Sequence, residues 1–152
     1  MPMTREQMNE LVDTHFAFEA ADDVEGVLST LTDGAEHEVI PSRFGAIRDP
    51  DRQREYYELL FRSIQGEKVE PLRRHYGDDF LIDETLWHGT IIDGAPFLCE
   101  GKSGPVSFRL LHVFEFDEGR IRREQVWCDL AAIQQQLGVR DQQTEIGRGG
   151  RR

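Results

Sequence analysis

The sequence predicts an α+β fold, with a curved antiparallel sheet wrapped on N-terminal helices to form a cone with an interior pocket. Three observations carry this expectation. Apolar residues in the first part of the chain recur at helical spacing. Beyond Lys68 they alternate in long runs, as half-buried strands do. Helices come first and a meander of strands follows, the order of a helical layer packed on one face of an antiparallel sheet. Strong curvature leaves the concave side partly unfilled, and that hollow is the expected pocket.

Taken in order, Thr4 and Gln7 form a capping-box pattern that opens the first helix. Met8, Leu11, Val12, His15, Phe16 and Glu19 then share one stripe. Two polar residues, His15 and Glu19, thus lie on the face that should be buried. Asp22 or Asp23 caps a short second helix with Val24, Val27, Leu28 and Leu31 on its stripe, broken by Asp33-Gly34. Glu36–Pro41 reads as a short strand ended by proline. Asp49-Pro50 opens a third helix whose inner stripe is Gln53, Tyr57, Leu60, Phe61 and Ile64, with Gly66 as its stop.

Lys68–Tyr76 and Asp79–Ile92 are predicted strands joined at Gly77-Asp78, and Asp93–Pro105 is a glycine-rich connection. Val106–Gly138 then supplies a long strand bearing His112, a D-E-G-R turn, a strand ending in Trp127-Cys128-Asp129, and a short helix closed by Gly138. Residues 1–138 make one domain, and residues 139–152, ending G-R-G-G-R-R, are expected to form a flexible tail.

The formal charge of −11 argues against nucleic acid and anionic membranes as partners. No apolar run is long enough for a membrane span, and the N-terminus lacks the apolar core of a secretory signal. Cys99 and Cys128 are far apart and match no disulfide or zinc spacing, so a cytoplasmic protein with reduced thiols is expected. Neither H-x-H nor H-E-x-x-H occurs, and adjacent His37 and Glu38 would face opposite sides of a strand. No metal and no cofactor are therefore expected.

Strand parity assigns faces. In Asp79–Ile92 the even set, Phe80, Ile82, Glu84, Leu86, His88 and Thr90, is taken as the inner one. In the next strand it is Phe108, Leu110, His112, Phe114 and Phe116. Parity in the last strand is ambiguous. Trp127 and Asp129 share one face and Val126 and Cys128 the other, with a bulge near Trp127 able to shift the register. The candidate catalytic residues are His112, His88, Glu19 and Asp129 around one apolar cavity, with a Glu19–His112 hydrogen bond fixing the imidazole. Tyr57, Trp127, Phe114, Leu110 and Phe16 are the candidate substrate-binding residues. Burial disfavours the charged form of a carboxylate or an imidazole, which suits acid–base chemistry near neutrality. Structural roles compete with these readings. Asp129 is also a natural N-cap, and His15, His37 and His75 are taken as structural or surface residues.

The run V-S-F-R-L-L-H-V-F-E-F-D-E-G-R-I-R-R-E-Q-V-W-C-D-L resembles the end of a SnoaL-like polyketide cyclase domain of the nuclear transport factor 2-like superfamily. F-A-F-E-A-A-D-D-V-E-G-V-L-S-T-L, G-A-I-R-D-P-D-R-Q-R-E-Y-Y-E-L-L-F and G-D-D-F-L-I-D-E-T-L-W-H-G-T are similar to the same family in order and spacing, over Thr4 to Gly138. The resemblance implies that Asp129, ending the last strand, is the acid/base of a ring closure and that His112 is its strand neighbour. It also implies a homodimer formed through the outer sheet face. Ketosteroid isomerases in this superfamily would need a base near Ile40, and limonene epoxide hydrolases an Arg-x-Asp pair where this chain has Leu110-Leu111-His112. Both activities are disfavoured. Scytalone dehydratase is matched at His88, His112 and Glu19, with Phe18 in place of its tyrosine.

The expected function is a cofactor-independent cyclase, isomerase or dehydratase acting on a small hydrophobic carbonyl or polyketide-like compound. The alternative is a non-catalytic module of the same fold that binds a hydrophobic ligand or scaffolds a dimer.

Overall fold

Helix α1 (Arg5–Ala20) begins where its capping box predicts: the Gln7 amide donates to the Thr4 hydroxyl at 3.2 Å, and the Thr4 amide donates to the Gln7 side chain at 2.9 Å. Asp23 caps α2 (Val24–Ser29), and Asp49, with Pro50 in the first turn, caps α3 (Pro50–Ser63). The computed structural model describes residues 2–139, so the expected tail lies, beyond Val139, outside the described residues.

The strands are β1 (Leu31–Ile40), β2 (Ala46–Ile47), β3 (Ile64–Tyr76), β4 (Phe80–Ile91), β5 (Gly104–Asp117) and β6 (Arg120–Cys128), and α4 (Leu130–Gln136) follows them. They form one sheet in the order β2-β1-β6-β5-β4-β3. All pairs are antiparallel except β1 with β6, which run parallel. Two boundaries differ from expectation. Asp33-Gly34 does not separate helix from strand but lies inside β1, where Gly34 takes φ 72° at a register shift. The third helix ends at Ser63, not at Gly66, because Ile64 already pairs with Ile91 in the sheet.

Three apolar clusters fix the concave side. Met8 and Val12 of α1 pack on Leu81, Phe114, Phe116 and Ile121. Val27, Ile47, Tyr56 and Tyr57 join α2 and α3 to the β1 end of the sheet. Ile133 and Leu137 of α4 close the opposite end against Trp87, Ile91, Val106 and Phe108. Gly89 permits the last of these, since a Cβ there would come within 2.4 Å of the Trp87 ring and 2.3 Å of the Gln65 carbonyl. The clusters leave a gap between the end of α1, the end of α3 and strands β3 to β5.

The faces of β5 are those parity predicts, with Phe108, His112, Phe114 and Phe116 buried. On β4 the parity is reversed. Leu81, Asp83, Thr85, Trp87, Gly89 and Ile91 are buried and the even set faces outward. Counting apolar residues misled here, because both faces of β4 carry them. On β6 a bulge at Arg122 resets the pattern. Ile121 pairs with Phe116, but Arg123 pairs with Glu115, so Glu124, Val126 and Cys128 turn inward while Trp127 turns out.

Candidate active site

The gap is a cavity of about 580 Å³, within the usual size of small-molecule sites. Phe16, Leu60, Phe61, Ile64, Trp87 and Leu110 make its apolar wall, and Glu19 and His112 supply polar groups to the same wall. Asp13, Asp22, Glu67 and Lys68 also line it. Helical spacing brings Phe16 and Glu19 to one side of α1, and strand alternation brings Leu110 and His112 to one side of β5.

A charged cluster adjoins this wall. His15 is fully buried, and its Nε2 lies 3.3 Å from Glu19 Oε1 and 3.2 Å from Glu124 Oε2. On the ring's other side, Nδ1 meets Thr30 Oγ1 at 2.7 Å, while Thr30 Oγ1 lies 2.6 Å from the Val27 carbonyl oxygen. A carbonyl cannot donate, so the threonine gives its only proton to Val27 and accepts from His15. The His15 tautomer is thereby fixed, with a proton on Nδ1 and Nε2 facing two carboxylates.

Glu124 has almost no solvent exposure, and its Oε2 accepts from the Tyr57 hydroxyl at 2.8 Å. Its other oxygen, Oε1, has no hydrogen-bond partner and lies 4.0 Å from His112 Nε2. Burial opposes ionisation of Glu124, but His15 outweighs it and holds the carboxyl below the usual carboxylate range. Burial likewise opposes a charge on His15, yet the Glu124 and Glu19 carboxylates raise it to about 10. His37, beside Glu124 across the β1–β6 ladder, is driven below the usual histidine range by burial between Tyr56 and Tyr57. Burial, with Glu124 adding to it, pushes the Tyr57 hydroxyl well up, so Tyr57 stays a hydrogen-bond donor.

Four of the sequence candidates meet the cavity: His112, Glu19, Leu110 and Phe16 line it. Phe114 lies beneath, its ring stacked on His112 at 5.5 Å and 5°. Tyr57 is buried against Glu124 and does not line the hollow. The remaining three are corrected. His88 points to the outer face, held by Ser107 at 2.7 Å and Glu70 at 2.6 Å, because β4 has the opposite parity. Asp129 is exposed, accepts from the amide of Ala132 at 3.1 Å as the N-cap of α4, and does not line the cavity. Trp127, 47% exposed, lies on the outer face, and Trp87 supplies the indole wall instead. The expected Glu19–His112 hydrogen bond is replaced by the Glu19–His15 contact, and Glu124 is the carboxylate next to His112.

Sequence reasoning missed His15 and Glu124. The signal for His15 was present, as two polar groups one helical turn apart on a stripe that had to be buried. Glu124 gave none, since the bulge hides its face.

The chain matches the SnoaL-like domain over residues 12–124. No curated protein matches it. Among solved structures it is similar to an NTF2-like protein from Burkholderia thailandensis E264, at 21% identity and TM-score 0.64, covering 83% of this chain and 93% of that one. It is similar to an LEH-like epoxide hydrolase from M. tuberculosis, at 20% identity and TM-score 0.66, covering 88% and 91%. A protein from Jannaschia sp. CCS1, provisionally named a SnoaL-like polyketide cyclase, aligns at 15% identity and TM-score 0.75 over 92% and 99%. At such identities these structures speak for the fold alone. The domain match spans most of the chain, and the protein belongs to the SnoaL-like domain family.

Proposed function

We propose that this chain is an acid–base enzyme, a cyclase, isomerase or dehydratase, acting on a small, largely apolar carbonyl compound. The observation that carries the reading is the position of His112. Its ring stands in the apolar wall of a cavity of about 580 Å³, with Phe114 stacked behind it and the Glu124 carboxylate 4.0 Å from Nε2. Such an imidazole is positioned to take a proton from the carbon beside a bound carbonyl and to return it elsewhere on the same molecule. The electron pair left behind moves onto the carbonyl oxygen as an enolate, which then adds to a second carbonyl, is reprotonated or expels a hydroxyl group. Glu19 offers a second polar contact on the same wall. Trp127, exposed on the outer sheet face, supports the expected pairing of two copies there.

The test uses 2-tetralone, an apolar ketone with acidic α-protons, in deuterated water. Loss of its α-proton NMR signals should be accelerated by the protein and return to the buffer rate in His112→Gln. Exchange that is equally fast in His112→Gln overturns the assignment. Binding without any acceleration favours the ligand-binding alternative.

A further inference from the structure

We infer that His15, Glu19 and Glu124 form a binding site for one divalent transition-metal ion. The inference goes beyond the reaction proposed above and stands on the geometry of the cluster. The ligand atoms of the three residues all lie within 4.8 Å of one another. One of them, His15 Nε2, is buried without a hydrogen-bond partner, and so is Oε1 of Glu124, the oxygen of that carboxylate which Tyr57 does not hold. The carboxylate oxygens lie 3.2 and 3.3 Å from His15 Nε2 but flank the ring nitrogen without making a hydrogen bond to it. Ligands held about 2.1 Å from a shared ion stand roughly 3.0–3.4 Å from each other, as tetrahedral and octahedral edges require. The observed separations are of that size.

Charge points the same way. Thr30 keeps one proton on Nδ1, so an ion that displaces the second proton from Nε2 meets a free electron pair there, the form a metal needs. Glu19 and Glu124 then leave two negative charges around it, which a single proton cannot neutralise and a divalent ion can. The surroundings also match those of a metal site. Metal-bound histidines usually donate their second ring N–H to an oxygen, and ligating carboxylates are usually held by a further donor. Thr30 and Tyr57 fill those roles here. One imidazole and two carboxylates suit zinc, manganese, iron(II) or cobalt(II) better than calcium, which takes oxygen ligands. Glu19 is 24% exposed and lines the cavity, so the ion would border the cavity wall. His112 stays outside the cluster as the proton-moving group, and an enolate forming nearby would no longer be repelled by two bare carboxylates.

This departs from the metal-free expectation because motif spacing sees only residues close in sequence. His15 and Glu124 are brought together by the fold.

The experiment titrates cobalt(II) into chelator-treated full-length protein. Calorimetry should give one ion per chain, and visible absorption should show cobalt d–d bands. Glu19→Gln and Glu124→Gln should each weaken binding at least about tenfold, with far-UV circular dichroism confirming that both remain folded. Absence of saturable binding by chelator-treated wild-type protein overturns the inference, as does undiminished affinity in both folded variants. The 2-tetralone assay on the same samples separates the two claims. Exchange that is undiminished in protein shown to be metal-free, with no binding of added cobalt, removes the metal and leaves the His112 reading intact. Stoichiometric binding without exchange upholds the metal and removes that reading.

Discussion

The Tyr57 hydroxyl donates to Glu124 Oε2 at 2.8 Å, linking α3 to β6 across the buried centre of the cone. A buried carboxylate needs such a donor. Tyr57→Phe keeps the ring and removes only the hydrogen bond. Because the acceptor is charged, the loss should be about 1.5–3 kcal/mol of folding free energy. Urea denaturation of the two proteins checks it, and a change under about 0.5 kcal/mol would mean that water takes over the role.

Asp129 and His88 lie outside the cavity, as cap and outer-face residue. Asp129→Asn and His88→Gln should therefore leave the ketone exchange rate within about twofold of wild type. Asp129→Ala should lose about 1 kcal/mol of stability, the usual cost of an N-cap. A collapse of exchange in Asp129→Asn would reinstate the terminal aspartate as the reacting group.

Stability of the metal-free protein should follow pH through the buried cluster. His15 is raised from 6.5 to about 10, so its contribution is complete below pH 6.5 and fades as pH climbs through about 10. Glu124 is depressed below its ordinary value of 4.5, so its contribution is complete above pH 4.5 and fades as acid is added. Denaturation midpoints should peak between those limits and decline steadily toward pH 10. In Glu124→Gln the alkaline decline should flatten, because the main partner of His15 is gone.

Arg74 fastens β3 to α1 and β4. It donates to Asp83 at 2.8 Å, Asn9 at 2.9 Å and Asp13 at 2.7 Å, while Asp83 is almost wholly buried directly across from His112. Arg74→Met strands that carboxylate and should cost about 3–5 kcal/mol. Adding Asp83→Leu to the same chain should recover most of the loss. No recovery would show that packing, rather than the stranded charge, is at fault.

Much of the architecture was legible because its signals are local. Thr4 with Gln7, Asp23 and Asp49-Pro50 each announce a helix start by side chains a few residues apart, and β5 carries a clean alternation ending at Phe116. What failed was non-local. Both faces of β4 are apolar enough that only its neighbours decide which is buried, and Trp87 and His88 exchange sides accordingly. The bulge at Arg122 depends on how β6 pairs with β5, and it turned Glu124 inward and Trp127 out. His112 was found because a lone histidine on an apolar face stands out. His15 was seen on the buried stripe but lacked a visible partner, since Glu124 is more than a hundred positions away.

The parallel pairing of β1 with β6 has a consequence for biosynthesis. Apart from the two-residue β2, the first strand has no neighbour in the sheet until the final one arrives. A nascent chain halted before Arg120 would hold an open edge on the ribosome, and its His15 and Glu19 would wait for an acid not yet translated. Closure of so distant a contact favours late, all-at-once folding over stepwise growth from the N-terminus.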